Sequence, residues 1–416
     1  MCLKEVRSFS LLKKLIIFGF IIYACSKSLI IAPIKASGSS ADFAPIYSSA
    51  SAWVKGINPY LQELSKGKNF PSVYPLNTFI LISPLTVVSW PYAKVIWMVI
   101  NIVVLIALLA SMVILAGFPL TSYEALLLII SSLALTPIQS CIVMGQPTII
   151  AIAFGIWSIW LSRYKYDIFS GILLAFGLSL KIHCAIPFMI YYVFRRRWNI
   201  LAISTCVMVV IFTIGVLRLG LNDFSWLLSW QENLKSSFLP GGINDPSGAN
   251  PIRYELLNLH FPLAILIKDQ TIVNAIVIII TSIALLIFGK LTKLTYNFYD
   301  DILLLSALSI ISLLSTYHRG YDAAILIIPI TLIIVMLNNE YRHYIRLIVL
   351  TIIPFYIYGL GTLVKMARNG IIPSKFVGTW YWNILITHRV WSLLILSSIL
   401  IYLMIIRKRA TNMIDA

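Results

Sequence analysis

Residues 167–219 read DIFSGILLAFGLSLKIHCAIPFMIYYVFRRRWNILAISTCVMVVIFTIGVLRL. Two apolar runs are divided by three consecutive arginines. The second run, 199–219, is about the length that a helix rising 1.5 Å per residue needs to cross hydrocarbon. Arg195, Arg196 and Arg197 mark its cytoplasmic end, because short loops rich in Lys and Arg stay inside. The next basic cluster upstream, Arg163 to Lys165, belongs on the same side for the same reason. Residues 167–194 must therefore leave and return in under thirty residues, which predicts two short helices meeting near Lys181 and His183.

The pattern recurs outward along the chain. Hydrophobic residues are 60% and charged residues 11% of the 416, against roughly a quarter charged in soluble domains. Apolar windows recur from Leu15 to Ile406, and strict two-residue alternation is absent, which argues against a membrane β-barrel. Backbone groups in lipid need internal partners, so helices remain. The expected fold class is all-α: one polytopic transmembrane helical bundle over 1–416 with about twelve spans. Keeping Lys4, Arg7, Lys13 and Lys14 inside, with Lys290 to Lys293, Arg342 to Arg346 and Arg407 to Arg409, puts both termini in the cytoplasm. Spans then fall near 123–140, 147–161, 271–289, 301–315, 322–338, 346–363 and 388–406. Residues 76–89 follow Pro75, contain Pro84 and are short, so a re-entrant or interfacial segment is expected. Two long outer loops result, 35–74 and 220–270.

The net charge of +17 is distributed between apolar runs and forms no single basic face, so a nucleic-acid partner is not expected. The basic N-terminus resembles the start of a signal peptide but lacks a small-residue cleavage site, and reads as an uncleaved first span. Cys25, Cys141, Cys184 and Cys206 lie in apolar stretches without paired spacing, so neither a disulfide framework nor a metal site is expected. No glycine-rich phosphate loop precedes a helix, and no cofactor is expected.

This topology brings several polar residues to one face, the outer one. Asp42 follows the first span, where an acid meets a substrate with its tail in lipid and its head in water. Tyr47, Trp53 and Tyr60 either line a sugar site or are interfacial aromatics. Gln146 either bonds a substrate or is a structural turn residue. Lys181 either serves a buried site or snorkels to the interface. His318 and Arg319 lie in a turn between spans, where ionisable groups are functional by default. Asp322, four residues after His318, is spaced to orient that imidazole or to pair with Arg319. The turn-rich segment 239–250 is either a flap over an acceptor or a connector.

Asp42, Tyr47, Gly56, Pro59 and Tyr60, followed by Tyr74-Pro75-Leu76 and Ser83-Pro84-Leu85, resemble the opening signature of glycosyltransferase family 87. The likeness continues in Gly145-Gln146, with Thr148 where the family usually has Asn. It runs on through Gly171, Lys181 and Pro187 to Arg195-Arg196-Arg197-Trp198, and reappears in Ser315-Thr316-Tyr317-His318, Tyr321-Asp322 and Pro329. The resemblance implies a multispanning GT-C enzyme using a polyprenyl-phosphate sugar, with mannose the best-known cargo. It further implies Asp42 as general base; the outer-face topology makes His318 a catalytic candidate and Tyr47, Tyr60, Gln146, Lys181 and Arg319 candidate substrate-binding residues. A glycolipid or glycan acceptor, and a cell-membrane location with the site on the outer or periplasmic face, follow from it.

The residues suit that chemistry. Direct displacement with inversion needs one carboxylate, unlike the two of typical glycoside hydrolases. A departing phosphate needs preorganised donors or cations, for which Lys181, His318 and Arg319 are candidates. A polysaccharide polymerase or ligase would rely on outer-loop Arg and His rather than an early acid. A transporter would carry charges at the midplane and inverted repeats, and no such symmetry is visible.

Overall fold

A computed structural model of the chain describes residues 11–61, 72–220, 224–292, 298–337, 340–357 and 360–414. Lys4, Arg7 and Lys293, residues 62–71 of the first long loop and 221–223 of the second lie outside the described residues. In chain order the helices are α1 (Leu11–Cys25), α2 (Ala32–Gly38), α3 (Phe43–Val54), α4 (Leu76–Ile82), α5 (Trp90–Leu115) and α6 (Tyr123–Ala134). There follow α7 (Thr136–Met144), α8 (Thr148–Arg163), α9 (Asp167–Phe194), α10 (Trp198–Leu219), α11 (Ser225–Phe238) and α12 (His260–Leu266). The chain closes with α13 (Gln270–Leu291), α14 (Phe298–Ser315), α15 (Ile327–Met336), α16 (Ile345–Ile352), α17 (Leu360–Arg368) and α18 (Trp380–Ile414). No strand forms among the described residues, so the fold is all-α as expected.

The number of spans differs from expectation. Seven helical segments among the described residues are long and apolar enough to cross a membrane, and up to nine if two bent pairs each count as one. The expected figure of about twelve is not confirmed, because apolar windows report composition and not whether the backbone stays straight or each helix is long enough. The pair α6 and α7 bends by 56°. Leu135 leaves helical geometry (φ −60°, ψ 126°) just before Thr136-Pro137, and Pro137 has no N–H to donate back. Leu76–Val87, Thr148–Arg163 and Gly320–Met336 are apolar but shorter than a span. The first of these is α4 followed by a 3-10 turn, Ser83–Val87, covering roughly 18 Å at helical rise.

The segment 167–194 does go out and come back. Its helix breaks at Lys181 (φ −157°, ψ 87°). A straight helix of 28 residues would separate its ends by roughly 42 Å, yet Arg197 Nη2 reaches Asp167 Oδ1 at 3.3 Å. Ser158 Oγ donates to Ser170 O at 2.7 Å and lies 2.8 Å from the Tyr192 hydroxyl, joining the two arms at matching depth. Glycines permit the close packing of this hairpin. A Cβ on Gly177 would lie 3.1 Å from Ala151 O and 3.5 Å from Ala185 Cβ in the other arm, and one on Gly155 would lie 2.3 Å from the Phe188 ring.

The basic loops gather at the end of the bundle away from the hairpin tip. Asp301 receives Arg163 Nη2 at 3.0 Å and Arg195 Nη2 at 2.5 Å. Arg407 Nε reaches Asp300 at 3.1 Å, and Lys408 Nζ donates to Lys290 O at 2.7 Å. Four clusters chosen by charge alone thus share one end. The opposite end of α8, at Thr148, lies roughly 22 Å away at helical rise.

Gly155→Ala is expected to lower stability by about 1–3 kcal/mol through overpacking against Phe188, read as a lower melting temperature in detergent. Gly289→Ala, whose Cβ would meet only the Phe194 ring edge at 3.6 Å, is the neutral comparison. Single cysteines at positions 42 and 196 should be labelled by an impermeant maleimide from opposite membrane faces. Labelling of both from one face would refute the placement of the two ends.

Candidate functional site

The site begins where α7 ends. Gly145 takes the left-handed conformation (φ 70°) that caps the helix, and only glycine enters it without strain. A Cβ there would also lie 2.8 Å from Phe43 Cβ. Trp97 Nε1 donates to Gly145 O at 2.8 Å, and Asp42 N donates to Met144 O at 3.0 Å. The turn therefore fixes Gln146 beside the start of α3, more than a hundred residues earlier in the chain.

Gln146 connects the early acid to the hairpin tip. Its Nε2 donates to Asp42 Oδ2 at 2.6 Å. Its Oε1 accepts from Lys181 Nζ at 2.6 Å and from the Tyr74 hydroxyl at 3.1 Å. An ammonium only donates and a carboxylate only accepts, so the amide can stand one way round. Lys181 Nζ also donates to Thr148 Oγ1 at 2.8 Å and pairs with Asp322 Oδ1 at 2.6 Å. Three ammonium protons thus meet three acceptors, with the Tyr321 ring 4.6 Å below. The helix break presents Lys181 to these partners, and its 4% exposure replaces the alternative of snorkelling. The Thr148 hydroxyl accepts from Lys181 while donating to Asp322 Oδ1 at 3.0 Å.

Asp322 is the hub, a role the His318 spacing only hinted at. Its Oδ2 accepts from Arg319 N at 3.1 Å and faces His318 Nδ1 at 3.4 Å and His183 Nε2 at 3.6 Å. The two imidazoles meet edge to face with centroids 4.8 Å apart. Ser312 Oγ donates to His183 O at 2.9 Å and lies 3.3 Å from His318 Nε2. Arg319 is buried, with Nη2 donating to Ile243 O at 2.9 Å and Nη1 3.9 Å from Glu255. Burial pushes the Glu255 carboxyl above the usual carboxylate range, with Arg319 pulling it back.

The segment 239–250 is pinned to this arginine through Ile243 O. Asp245 organises it by accepting from Gly241 N at 2.8 Å, Ser247 N at 2.8 Å and Ser247 Oγ at 2.6 Å.

Of the seven residues singled out in the sequence, Asp42, Gln146 and Lys181 form one bonded chain, which Asp322 extends to His318 and Arg319. Tyr47 and Tyr60 stand outside it. Tyr47 donates to Val88 O at 2.7 Å beside Phe43 and Trp90. Tyr60 is buried against Phe79 and Trp226, and its hydroxyl donates to Tyr74 O at 3.0 Å, steadying the residue that bonds Gln146. Asp322, His183, Thr148 and Tyr74 were the residues that pattern reasoning underweighted. An acid and a histidine inside otherwise apolar segments were the available signal.

No metal-ligand spacing is visible in the sequence, but the fold brings His183, Cys184, His318 and Asp322 together with one ligand atom each, all within 4.8 Å of one another. The two pairs are 134 residues apart, which no local motif encodes.

Lys181→Met should destabilise the protein by about 3–5 kcal/mol, because it leaves Asp322 charged and buried without its cation. The double variant Lys181→Met/Asp322→Leu should recover much of that loss in denaturant titrations in detergent. A double variant no better than the single would show that the pair is not the stabilising unit.

The sequence profile of glycosyltransferase family 87 matches residues 73–316. The matched region contains Gln146, Thr148, Lys181 and His183, beginning after Asp42 and ending just short of His318. No curated protein and no solved structure matches the chain. With more than half its length matched, and its apolar helices meeting at a buried polar site, the chain belongs to glycosyltransferase family 87 and is a membrane glycosyltransferase.

Proposed function

We propose that the protein transfers a hexose, mannose first among candidates, from a polyprenyl-phosphate donor to a glycolipid or glycan hydroxyl at the outer face of the cell membrane. Asp42 serves as general base. Its carboxylate takes the proton of the acceptor hydroxyl as that oxygen bonds to the anomeric carbon. The bond from anomeric carbon to phosphate oxygen breaks with its electron pair leaving on the phosphate, and the configuration inverts.

The observation that carries this reading is the continuous chain Asp42, Gln146, Lys181, Asp322. It joins an acid at the beginning of the sequence to the hairpin tip and to the His318 turn. Gln146 aims the base, and Lys181, with its protons already taken, positions Gln146 and Asp322. His318 turns its ring nitrogens toward Asp322 and Ser312, so we assign it to positioning as well. Arg319 is the cation for the departing phosphate. It remains charged at any physiological pH, its Nε has no partner among the described residues, and the Asp42 carboxylate acts on it electrostatically. Lys27 and Lys35 line a groove with Ile31, Ala32 and Val143 that reaches Met144, whose carbonyl holds the Asp42 backbone. Apolar walls with two ammonium groups suit a prenyl chain carrying phosphate.

Asp42→Asn should cut transfer from radiolabelled polyprenyl-phosphate mannose by about 10²–10⁴-fold, the usual share of a general base, with an unchanged melting temperature. The assay uses purified protein in detergent over a panel of glycolipid acceptors, with nucleotide mannose as comparison. Full activity in Asp42→Asn would overturn the base assignment, and transfer from the nucleotide sugar alone would overturn the donor.

A further inference from the structure

We infer that His183, Cys184, His318 and Asp322 form a binding site for one divalent transition metal of the zinc class. The inference goes beyond the proposed transfer reaction and does not depend on it.

The hydrogen-bond network dictates where the lone pairs point. The Ser312 hydroxyl spends its proton on His183 O, so toward His318 Nε2 it can only accept. Nε2 therefore carries a proton, and in the neutral imidazole Nδ1 then presents a lone pair. That lone pair faces Asp322 Oδ2, an acceptor, at 3.4 Å. His183 Nε2 faces the same oxygen at 3.6 Å. Neither nitrogen has a hydrogen-bond partner among the described residues, although both are buried. Two ring nitrogens converging on a carboxylate oxygen without hydrogen bonds is a costly arrangement in an apolar interior. A cation placed between them turns it into a favourable one.

The spacing fits the ion. Tetrahedral zinc with bonds of 2.0–2.3 Å has ligand-to-ligand edges of roughly 3.3–3.7 Å. The two imidazole-to-Oδ2 distances fall in that range, and with Cys184 Sγ the four candidate ligand atoms lie within 4.8 Å of one another. Two nitrogens, one oxygen and one sulfur form a borderline-soft set that suits zinc and its tetrahedral relatives better than magnesium or calcium, which prefer oxygen. The surrounding groups are those that orient ligands. Ser312 fixes the His318 tautomer, while Lys181 and Thr148 hold the other oxygen of Asp322. His183 is 25% exposed at its side chain, which provides a path of entry. On binding, the Cys184 thiol loses its proton to solvent as the sulfur–metal bond forms. The ion would tie the hairpin tip to the His318 turn.

Cobalt is the probe, because its spectrum reports geometry and ligand. Tag-free protein stripped with chelator and equilibrated with Co²⁺ should retain about one ion per chain, with the intense visible bands of a tetrahedral centre and a thiolate-to-cobalt charge-transfer band. Zn²⁺ should displace it. Cys184→Ser should lose the charge-transfer band and keep the ion more weakly, while Cys206→Ser changes nothing. His183→Ala/His318→Ala should weaken binding by at least about tenfold. If folded wild-type protein retains no cobalt or zinc, or its cobalt spectrum lacks the tetrahedral or thiolate signature, the site does not exist as assigned. Undiminished binding in the histidine double variant would likewise overturn it. Because the readout is metal and not transfer, loss of the enzymatic reading and loss of the metal site are separable outcomes.

Discussion

The ion pair between Lys181 and Asp322 is the constraint on which the rest of the site depends. A charge inside an apolar helical bundle is tolerated only with a partner and with its remaining hydrogen-bonding capacity filled. Lys181 meets that condition through Asp322, Gln146 and Thr148. Each partner comes from a different element: the Gly320 turn, the end of α7 and the start of α8. Satisfying one ammonium group therefore fixes the relative placement of three segments, and Gln146 passes the constraint on to Asp42. The helix break at Lys181 is part of the same solution, since a straight helix would carry this side chain past its partners.

The two ends of the bundle use charge differently. At the Asp300 and Asp301 end, arginines from the end of α8, the turn after α9 and the body of α18 converge on neighbouring carboxylates, an arrangement that binds these segments together. At the Asp42 end, cations and carboxylates are threaded through amide, hydroxyl and imidazole groups over a span of 280 positions in sequence. Such a network is stable only when every member is satisfied, because the low dielectric that strengthens each bond also raises the cost of any orphan. The converging imidazole nitrogens of His183 and His318, like Arg319 Nε, have no hydrogen-bond partner among the described residues.

Glycine has a specific place in the architecture. At Gly145 the backbone enters a conformation that side chains resist, and Phe43 occupies the space a Cβ would need. That turn is what lets a helix end deliver a polar side chain to an acid from another part of the chain. Its cost in backbone freedom is offset by the bonds that Gln146 then makes.

Much of the fold was legible in the residues themselves. Apolar length and the positions of Arg163, Arg195 and Arg407 determined that the chain is helical, that 167–194 doubles back at Lys181, and that the basic loops share one end. These properties depend on local composition and on the price of charge in lipid, which act residue by residue. The site residues were legible as types: an acid after the first span, a lysine at a hairpin tip, a histidine in a turn. What only the tertiary structure decided was who meets whom. It made Asp322 the hub, placed Tyr60 in the core and Tyr47 against Val88, bent α6 against α7 where a full span was expected, and brought His183 and Cys184 to His318. Those outcomes rest on contacts between positions far apart in sequence, where hydrogen-bond geometry and packing select one pairing among many that composition permits equally.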